Sequence, residues 1–279
     1  MTTIAIHGQC APRFEAVQRA FASLMNQPGQ RGASVSLYWR GEQAVNLWAG
    51  TRDKEAKQPW QQDTLVNIFS TSKGVTALAV QRALDLGLLD LQKTVAYYWP
   101  EYGCEGKKDT RVAWILNHRA AQPALKTPLP DEALFDWDRM TSTLAREAPW
   151  WQPGSSHGYH MVTVGWLIGE VFRRAVGVSV AEFLREEVSG PLGLDLLLGV
   201  PDEQFGRLAD LAGSRERPPE GRLYLLGRIQ AEPESMTARA LTNPMSLSNS
   251  SNTAAWRRME LPSANMHATA AALATLYGK

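Results

Sequence analysis

The sequence changes from an extended segment to a helix at residue 70, and a serine and a lysine lie at that junction. Residues 64–69 (TLVNIF) are rich in β-branched and apolar residues, whereas apolar residues of 70–87 recur with a helical period. Ser70 and Lys73 are three positions apart, so they lie on one face of the helix. The helix N-terminus and the apolar surroundings favour a neutral lysine amine, which can accept the serine proton. The motif is therefore typical of a covalent serine hydrolase with Ser70 as nucleophile.

A tyrosine at a second junction of loop and helix supports this motif. A bare S-x-x-K pattern occurs by chance in roughly every second chain of this size, so its context has to carry the prediction. Tyr159 follows a Pro153-Gly154 turn and precedes a helix predicted over 161–175. Its hydroxyl can reach into a cleft and, beside an ammonium group, relay a proton to a leaving group. The alternative is a tyrosine that only anchors its loop through a hydrogen bond.

The same loop contains a competing candidate nucleophile, Ser156. Residues 154–158 (GSSHG) match the G-x-S-x-G pattern, which requires a strand before the serine and a helix immediately after it. The preceding segment contains Pro149 and Pro153, which a central strand does not tolerate. We therefore interpret the match as a turn and keep Ser156 as the alternative to Ser70.

The N-terminal pattern predicts an α+β layer. Residues 13–27 are amphipathic, and two strand-like runs at 33–39 and 44–49 follow, separated by a predicted hairpin turn. A helix followed by an antiparallel hairpin is typical of this class. The remaining predictions are helices over 111–120, 138–147, 161–175, 180–188 and 263–277, a short strand within 193–200, and irregular loops at 213–222 and 246–253.

Composition restricts the partners and the location. A formal net charge of +1, without a run of lysines and arginines, argues against nucleic acid as a partner. No segment approaches 18 consecutive apolar residues, so no membrane-spanning helix is expected. The N-terminus has neither the basic segment nor the continuous apolar segment of a signal peptide, which predicts a cytoplasmic protein. The two cysteines, Cys10 and Cys104, are then expected to be free thiols.

The histidines do not have the spacing of a metal site. Apart from His157 and His160 they lie in separate segments, and none is part of an H-E-x-x-H pattern. His118 is interpreted as a structural hydrogen-bonding residue below the site rather than as a catalytic base. No metal ion and no organic cofactor is expected.

The order of the motifs resembles that of one known family. Residues 69–74 (FSTSKG) are followed by 115–120 (ILNHRA), by the Pro-Gly turn that leads to Tyr159, and by 165–167 (GWL). The chain resembles the serine β-lactamase-related hydrolases, and within them most closely the carboxylesterases built on the fold of class C β-lactamases and penicillin-binding proteins. The hairpin segment 47–50 (LWAG) fits the same group.

The resemblance implies both an architecture and a set of catalytic residues. It implies one α+β domain of the β-lactamase and penicillin-binding-protein type. In this domain, residues 1–65 supply the helix and hairpin of an antiparallel sheet lobe, and 66–279 form a mainly helical lobe that carries the active-site serine and tyrosine. It also implies Ser70 as the nucleophile, Lys73 as its activating base, and Tyr159 as the proton relay to the leaving group and to the deacylating water.

Three features depart from the pattern of the family. Class C β-lactamases carry Y-x-N, but Met161 occupies the third position here, which removes an amide that could hold a β-lactam side chain and favours esters. Ala121 stands where the relatives tend to have glycine. The final K-T-G or H-x-G strand has no counterpart. The sheet is therefore expected to be incomplete and the oxyanion hole to lack one donor, which costs on the order of 10²–10³ in rate. The chain is then either a fragment of a longer protein or a degenerate member of the family.

These observations lead to one main functional hypothesis and two alternatives. The main hypothesis is a cytoplasmic carboxylesterase that cleaves small or short-chain esters through an acyl-enzyme on Ser70, with no metal, cofactor, nucleic-acid or membrane partner. One alternative is β-lactamase or D,D-peptidase activity. The other is a truncated, catalytically impaired member that acts as a binding protein or has no activity, with Ser70 as a simple helix N-cap. The oligomeric state is left open.

Overall fold

The chain forms an α+β fold in the computed structural model, which describes residues 4–212 and 224–279. The long strands lie before residue 51 and most of the helices follow residue 71, as the sequence pattern predicts. The strands and helices are, in chain order, β1 (Ile6–Cys10), α1 (Glu15–Met25), β2 (Gly32–Trp39), β3 (Glu42–Gly50), β4 (Val66–Asn67), α2 (Ser72–Asp85), α3 (Val95–Tyr98), α4 (Val112–Leu116), α5 (Trp137–Arg146), α6 (Thr163–Val176), α7 (Val180–Leu184), β5 (Leu196–Leu197), α8 (Tyr224–Ala231), α9 (Met236–Thr242), α10 (Ala254–Arg258), β6 (His267–Ala268) and α11 (Ala270–Gly278). The loop predicted over 213–222 lies outside the described residues.

The N-terminal sheet is antiparallel, with β3 between β1 and β2. The predicted hairpin is confirmed. Arg40 and Gly41 join β2 to β3, and their φ values of 53° and 82° give the turn the hand that matches the twist of the strands. The sequence analysis did not predict β1, because Gly8 and Gln9 interrupt any alternation of apolar residues there.

Helix α1 covers one face of this sheet. It packs Phe21 and Met25 against Val45, Leu47 and Ala49, which are the buried apolar side chains of β3. Each large apolar side chain buried in this way contributes about 1.5–3 kcal/mol. The amphipathic pattern predicted over 13–27 is therefore confirmed as the helix that closes the sheet on this side.

The C-terminal helix α11 packs on the other face of the sheet. The Thr275 hydroxyl donates a hydrogen bond to the Tyr38 hydroxyl at 2.8 Å, and an added Cβ at Gly278 would touch the same tyrosine ring. Leu37 packs against the α1 cluster, whereas Tyr38 contacts α11, so these two neighbours on β2 face opposite sides of the sheet. Helix α11, which belongs to the predicted segment 66–279, thus covers the sheet formed by the predicted segment 1–65. The division of the chain at residue 65 remains a prediction.

The helical part is organised around α6, which is buried on nearly all sides over its first ten residues, from Thr163 to Phe172, because apolar side chains surround it. Its buried acid, Glu170, accepts hydrogen bonds from Trp137 Nε1 at 2.8 Å and from two arginines of the same helix. Burial acts to raise the pKa of Glu170, but these donors outweigh it and hold the pKa below its usual value. The predicted helix over 161–175 is confirmed.

A second small sheet ties the start of α2 to the last part of the chain. Strand β6 lies between β4 and β5 and pairs Asn67 with His267. The Ile68 N–H donates to the Met266 carbonyl at 2.9 Å, which extends this connection by one residue. The extended stretch predicted over 64–69 is therefore a strand only at Val66–Asn67.

The helix predicted over 263–277 is wrong in its first part. Strand β6 and Thr269, the N-cap of α11, occupy the stretch before residue 270. Asn265 explains the difference, since its side chain accepts the Leu261 N–H at 2.8 Å and donates to the Trp256 carbonyl at 2.8 Å. Such bonds between a side chain and the main chain compete with helix formation.

Two other predicted helices are shorter than expected. The segment 111–120 is helical only in α4, because the backbone turns away at His118, whose φ of 61° is left-handed. The segment 180–188 is α-helical only in α7 and continues as a wider turn of the π type over Arg185–Ser189. The remaining helix, over 138–147, is confirmed as α5 to within the usual uncertainty of helix ends.

We expect the fold to lose stability in mild acid because it buries a neutral histidine. His267 on β6 is 1% exposed, and burial lowers its pKa to about 4. An unfolded histidine titrates near 6.5, so between about pH 6.5 and about pH 4 the unfolded chain binds a proton that the folded chain does not. Stability therefore falls as pH falls through this window, by up to about 1.4 kcal/mol per pH unit.

Urea unfolding at about pH 7, 6 and 5 measures this dependence. In a His267→Gln variant the slope below about pH 6.5 is expected to decrease by the contribution of one proton. His160, the other buried histidine whose pKa is lowered to about 4, keeps its share in that variant. An unchanged slope after the substitution would show that His267 is not the group that titrates.

Candidate active site

A strained turn places Ser70 directly after β4. Phe69 has a φ of 41°, in the left-handed region that residues other than glycine rarely adopt, and a single 3₁₀ turn over Phe69–Thr71 precedes α2. Asn67 holds this turn. Its side-chain oxygen accepts the Phe69 N–H at 3.3 Å, and its amide donates to the Ala264 carbonyl at 3.3 Å. The turn leaves Ser70 exposed at the start of the helix.

The amine of Lys73 is held by three oxygen atoms. Nζ donates to Ser70 Oγ at 3.0 Å, to the Met161 carbonyl at 2.7 Å and to the Ser263 carbonyl at 2.9 Å. A neutral amine has two N–H groups and one lone pair, so when the two carbonyls take both N–H groups the lone pair faces Ser70. Burial lowers the pKa of Lys73, although Tyr159 acts in the opposite direction. The surroundings therefore favour the neutral amine more than water does.

The hydroxyl of Tyr159 approaches the same serine from the loop before α6. It donates a hydrogen bond to Ser70 Oγ at 2.9 Å, and Lys73 Nζ lies 5.1 Å from the centre of the tyrosine ring. Burial acts to raise the pKa of Tyr159. The Ser70 hydroxyl, which can turn to donate to the phenolate, and the Lys73 ammonium outweigh it and bring the pKa below its ordinary value. The three side chains form one hydrogen-bonded group through which a proton can move.

The loop that carries Tyr159 contains neither strand nor helix between residues 147 and 162. Its Pro153-Gly154 turn packs on Trp114. A Cβ at Gly154 would lie 2.7 Å from the indole, and the φ of 82° also requires glycine. The exposed Ser156 therefore lacks both the strand and the helix that a G-x-S-x-G nucleophile needs on either side.

A short segment after α4 runs beside this loop and is bonded to it at several points, three of which lie next to Tyr159. The Gly158 N–H donates to the His118 carbonyl at 3.1 Å, and the His160 N–H donates to His118 Nδ1 at 3.1 Å. The Gln122 N–H donates to His160 Nε2 at 3.0 Å. His118 thus makes structural hydrogen bonds of the kind expected from the sequence.

The Ser263 carbonyl reaches Lys73 because α6 allows a close approach at Gly165. A Cβ at Gly165 would lie 2.5 Å from Ser263 Oγ. That hydroxyl donates to the Val162 carbonyl at 2.8 Å and so fixes the segment on the start of α6. A cavity of about 120 Å³ lies between α2 and α6, where Lys73 and His118 are among its lining residues.

The histidines near the site are used as hydrogen-bonding groups. The rings of His157 and His160 lie 6.1 Å and 5.6 Å from that of His118, but both nitrogens of His160 and Nδ1 of His118 are bonded to the main chain. Residues 4–212 and 224–279 contain no group of three or more His, Cys, Asp or Glu side chains that could hold a metal ion. Over the same ranges, no helix has the length and apolar character to cross a membrane.

The structure brings Ser70, Lys73 and Tyr159 together and adds two main-chain groups that the sequence analysis did not identify. Met161 and Ser263 contribute carbonyl oxygens, which every residue type possesses, so no side chain marks them in the sequence. Gly165 is the available signal for the second contact, since a glycine inside an apolar helix often indicates a close approach.

The sequence and the fold match known proteins along nearly the whole chain. The family model described as Beta-lactamase matches residues 17–279. Esterase/beta-lactamase LipL of Mycobacterium tuberculosis is 34% identical over 277 residues, which cover 98% of this chain and 64% of LipL. Esterase EstB of Burkholderia gladioli is 26% identical over 202 residues, which cover 66% of this chain and 50% of EstB. The chain therefore spans less than two thirds of the length of these curated relatives.

Two solved structures share the fold. A penicillin-binding protein homologue from Caulobacter crescentus matches with a TM-score of 0.85 and 38% identity, over 98% of this chain and 70% of that one. A family VIII carboxylesterase matches with a TM-score of 0.86 and 35% identity, over 98% of this chain and 71% of that one. The fold expected from the resemblance is confirmed. Since the family model extends over 17–279 and relatives above 30% identity cover nearly every residue, this chain belongs to the beta-lactamase family.

Proposed function

We propose that the chain is a serine hydrolase, and specifically a carboxylesterase that cleaves small or short-chain esters through an acyl-enzyme on Ser70. The observation that carries the proposal is the convergence of two groups on one atom. Lys73 Nζ and the Tyr159 hydroxyl lie 3.0 Å and 2.9 Å from Ser70 Oγ. Ser70 is then the nucleophile, Lys73 its base and Tyr159 the proton relay. The relatives LipL and EstB are both named as esterases, which supports the same class.

Acylation begins when the lone pair of Lys73 takes the Ser70 proton and Oγ forms a bond to the ester carbonyl carbon. The carbonyl electrons move to oxygen and give a tetrahedral oxyanion. The Ser70 N–H lies in the 3₁₀ turn that precedes α2, and as one of the first donors of a helical turn it has no intrahelical acceptor, so it is available to the oxyanion. Collapse of the intermediate expels the alkoxide, which takes the Tyr159 hydroxyl proton, and the Lys73 ammonium replaces that proton. The alcohol leaves and Ser70 carries the acyl group.

Deacylation uses the same groups with water as the nucleophile. The Tyr159 hydroxyl passes its proton to the neutral amine of Lys73 and takes one from water, while the water oxygen attacks the acyl carbon. The second tetrahedral intermediate expels the Ser70 oxygen, which takes the proton from the Lys73 ammonium. The carboxylic acid leaves and the three side chains return to their initial protonation states.

Residue 161 bears on the choice between esters and β-lactams. The Met161 side chain packs against the hydrophobic core, and its carbonyl accepts a hydrogen bond from Lys73. This position presents no side-chain amide to the substrate, which favours esters over β-lactams that carry an acylamino group. β-Lactamase activity is the second candidate, because the acylation chemistry is the same and LipL is named both as an esterase and as a β-lactamase.

Hydrolysis of p-nitrophenyl butyrate and of the chromogenic cephalosporin nitrocefin by the purified chain separates the candidates. We expect kcat/KM for the ester to exceed that for nitrocefin by at least about tenfold. Peptide mapping after an acid quench is expected to find the butyryl group on Ser70. Faster turnover of nitrocefin would favour a β-lactamase, and a butyryl group on Ser156 would contradict the assignment. A folded chain that forms no acyl-enzyme with either compound would favour a binding protein.

A further inference from the structure

Two imidazole rings hold the loop of Tyr159, and each accepts a hydrogen bond from the main chain. His118 Nδ1 accepts the N–H of His160 at 3.1 Å, and His160 Nε2 accepts the N–H of Gln122 at 3.0 Å. The other nitrogen of His160, Nδ1, lies 2.6 Å from the Gly158 carbonyl and donates to it. A protonated imidazole has no lone pair and cannot accept a hydrogen bond. The observed arrangement therefore requires both rings to be neutral.

His118 contacts the loop on both sides of Tyr159. Its carbonyl accepts the N–H of Gly158, the residue before the tyrosine, at 3.1 Å. Its ring accepts the N–H of His160, the residue after the tyrosine, at 3.1 Å. The main chain is thus fixed at both neighbours of Tyr159, so the direction of the phenol depends only on its own two side-chain torsions.

The ring of His118 also lies among the reacting groups. It packs edge to face on the ring of Tyr159, with 4.8 Å between their centres, and lines the cavity beside Lys73. The titratable groups that face it are Lys73 on α2, and His157, Tyr159 and His160 on the loop. His118 is half-buried, whereas His160 is fully buried, so His118 is the ring of the two that is accessible to protons from solvent.

We propose that neutral His118 is a positioning residue for Tyr159, and that protonation of His118 uncouples the tyrosine hydroxyl from Ser70. The proton comes from solvent and binds at Nδ1, where the new N–H faces the N–H of His160. Two donors then oppose each other, so the hydrogen bond from His160 to the His118 ring is lost and the chain after Tyr159 releases the phenol from its position. The kinetic consequence rests on the proposed hydrolase function, but the position of Tyr159 does not.

The surroundings keep His118 in the neutral form. Burial lowers its pKa below the usual histidine value, and the positive charge of Lys73 and the neighbouring His157 act in the same direction. Protonation therefore takes place on the acid side of the ordinary histidine range, and the relay is intact at neutral pH.

Two substitutions at residue 118 distinguish the effect of the hydrogen-bond acceptor from that of the rest of the imidazole ring. His118→Asn keeps an acceptor oxygen, tolerates the left-handed backbone with its φ of 61°, and does not titrate. His118→Ala removes the acceptor. For p-nitrophenyl butyrate, we expect kcat of His118→Ala to fall on the order of 10²-fold with KM changed by less than about threefold. The asparagine variant is expected to recover most of this loss, and its decline of kcat/KM in acid is expected to be less steep by one proton.

Ionisation of Tyr159 provides a measurement that does not require turnover. The difference in phenolate absorbance between each protein and its Tyr159→Phe counterpart, titrated with pH, gives the pKa of this one tyrosine. We expect that pKa to rise in His118→Ala towards the ordinary value of about 10, because the phenol leaves Lys73 and Ser70. In His118→Asn it is expected to stay low.

Near-ultraviolet circular dichroism establishes that each variant is folded. The proposal is overturned if the pKa of Tyr159 in a folded His118→Ala variant equals that in the parent chain. It is also overturned if His118→Asn raises the pKa of Tyr159 as much as His118→Ala does. If the alanine variant does not fold, an acid decline of unchanged steepness in His118→Asn overturns the proposal. The expected tyrosine titrations without any ester hydrolysis would overturn the proposed function and leave the positioning role supported.

Discussion

The Ser70→Ala variant is expected to hydrolyse p-nitrophenyl butyrate slower by on the order of 10⁴-fold or more. The substitution removes the one oxygen to which Lys73 Nζ and the Tyr159 hydroxyl are both bonded, so no acyl-enzyme can form. Because Ser70 is exposed, the free energy of unfolding of the variant is expected to lie within about 1 kcal/mol of that of the parent chain. Initial rates at saturating ester and peptide mapping after a quench measure both consequences.

The matched control is Ser156→Ala, which changes an exposed serine in the loop that carries Tyr159. Its rate is expected to stay within about twofold of the parent rate, because Ser156 has neither a preceding strand nor a following helix to present it as a nucleophile. If activity survived Ser70→Ala and disappeared with Ser156→Ala, the G-x-S-x-G interpretation would replace ours.

The Lys73→Arg variant is expected to lose on the order of 10³-fold in kcat although it keeps a positive charge. A guanidinium holds its proton to about pH 12 and above, so it offers no lone pair to the Ser70 hydroxyl. The three oxygen atoms within 3.0 Å of Nζ also surround a compact amine better than a planar group. Single-turnover release of p-nitrophenol measures the acylation step directly. Lys108→Arg, at an exposed lysine, is the matched control and is expected to keep the parent rate.

The pH profile of the parent chain tests the same residue. Loss of a proton creates the base, so kcat/KM is expected to rise with pH and level off as Lys73 becomes neutral. Burial lowers the pKa of Lys73, so the plateau is expected below the ordinary lysine value of about 10.4. A Lys73→Arg variant that kept both the rate and the profile would exclude Lys73 as the base.

Elements of the fold with a strong local pattern could be predicted from the sequence. The hairpin has a glycine at its turn and alternating apolar side chains on β3, and α6 has an apolar surface nearly all round. Strand β1 has no such pattern. Its Gly8 approaches β3 so closely that a Cβ would lie 2.0 Å from the Asn46 carbonyl, and this contact joins residues far apart in the sequence. The sequence pattern places the start of the last helix at residue 263, whereas α11 begins at Ala270. The reason is again a contact outside the local pattern, since Asn265 forms hydrogen bonds with earlier main-chain groups and these exclude a helix at that point.

The residues of the candidate site also divide into those that a local sequence pattern predicts and those that only the packing of the fold brings into place. Ser70 and Lys73 are neighbours on one turn, so their proximity is a local property of the S-x-x-K pattern, whereas the role expected of Tyr159 depends on the resemblance and its Pro-Gly turn. The carbonyls of Met161 and Ser263 are placed by the packing of α6 and of the segment before β6. Local periodicity contains no information about such contacts.

Because two carbonyls surround the amine of Lys73, its ability to act as a base depends on how much of the chain has been synthesised. Met161 and Ser263 follow Lys73 by 88 and 190 residues, so the lysine leaves the ribosome long before the second carbonyl exists. During that interval water surrounds the amine, which keeps its proton under the ordinary pKa of about 10.4. The proposed nucleophile is therefore latent in the nascent polypeptide, and cellular acyl donors meet a reactive serine only after the last of these segments has docked.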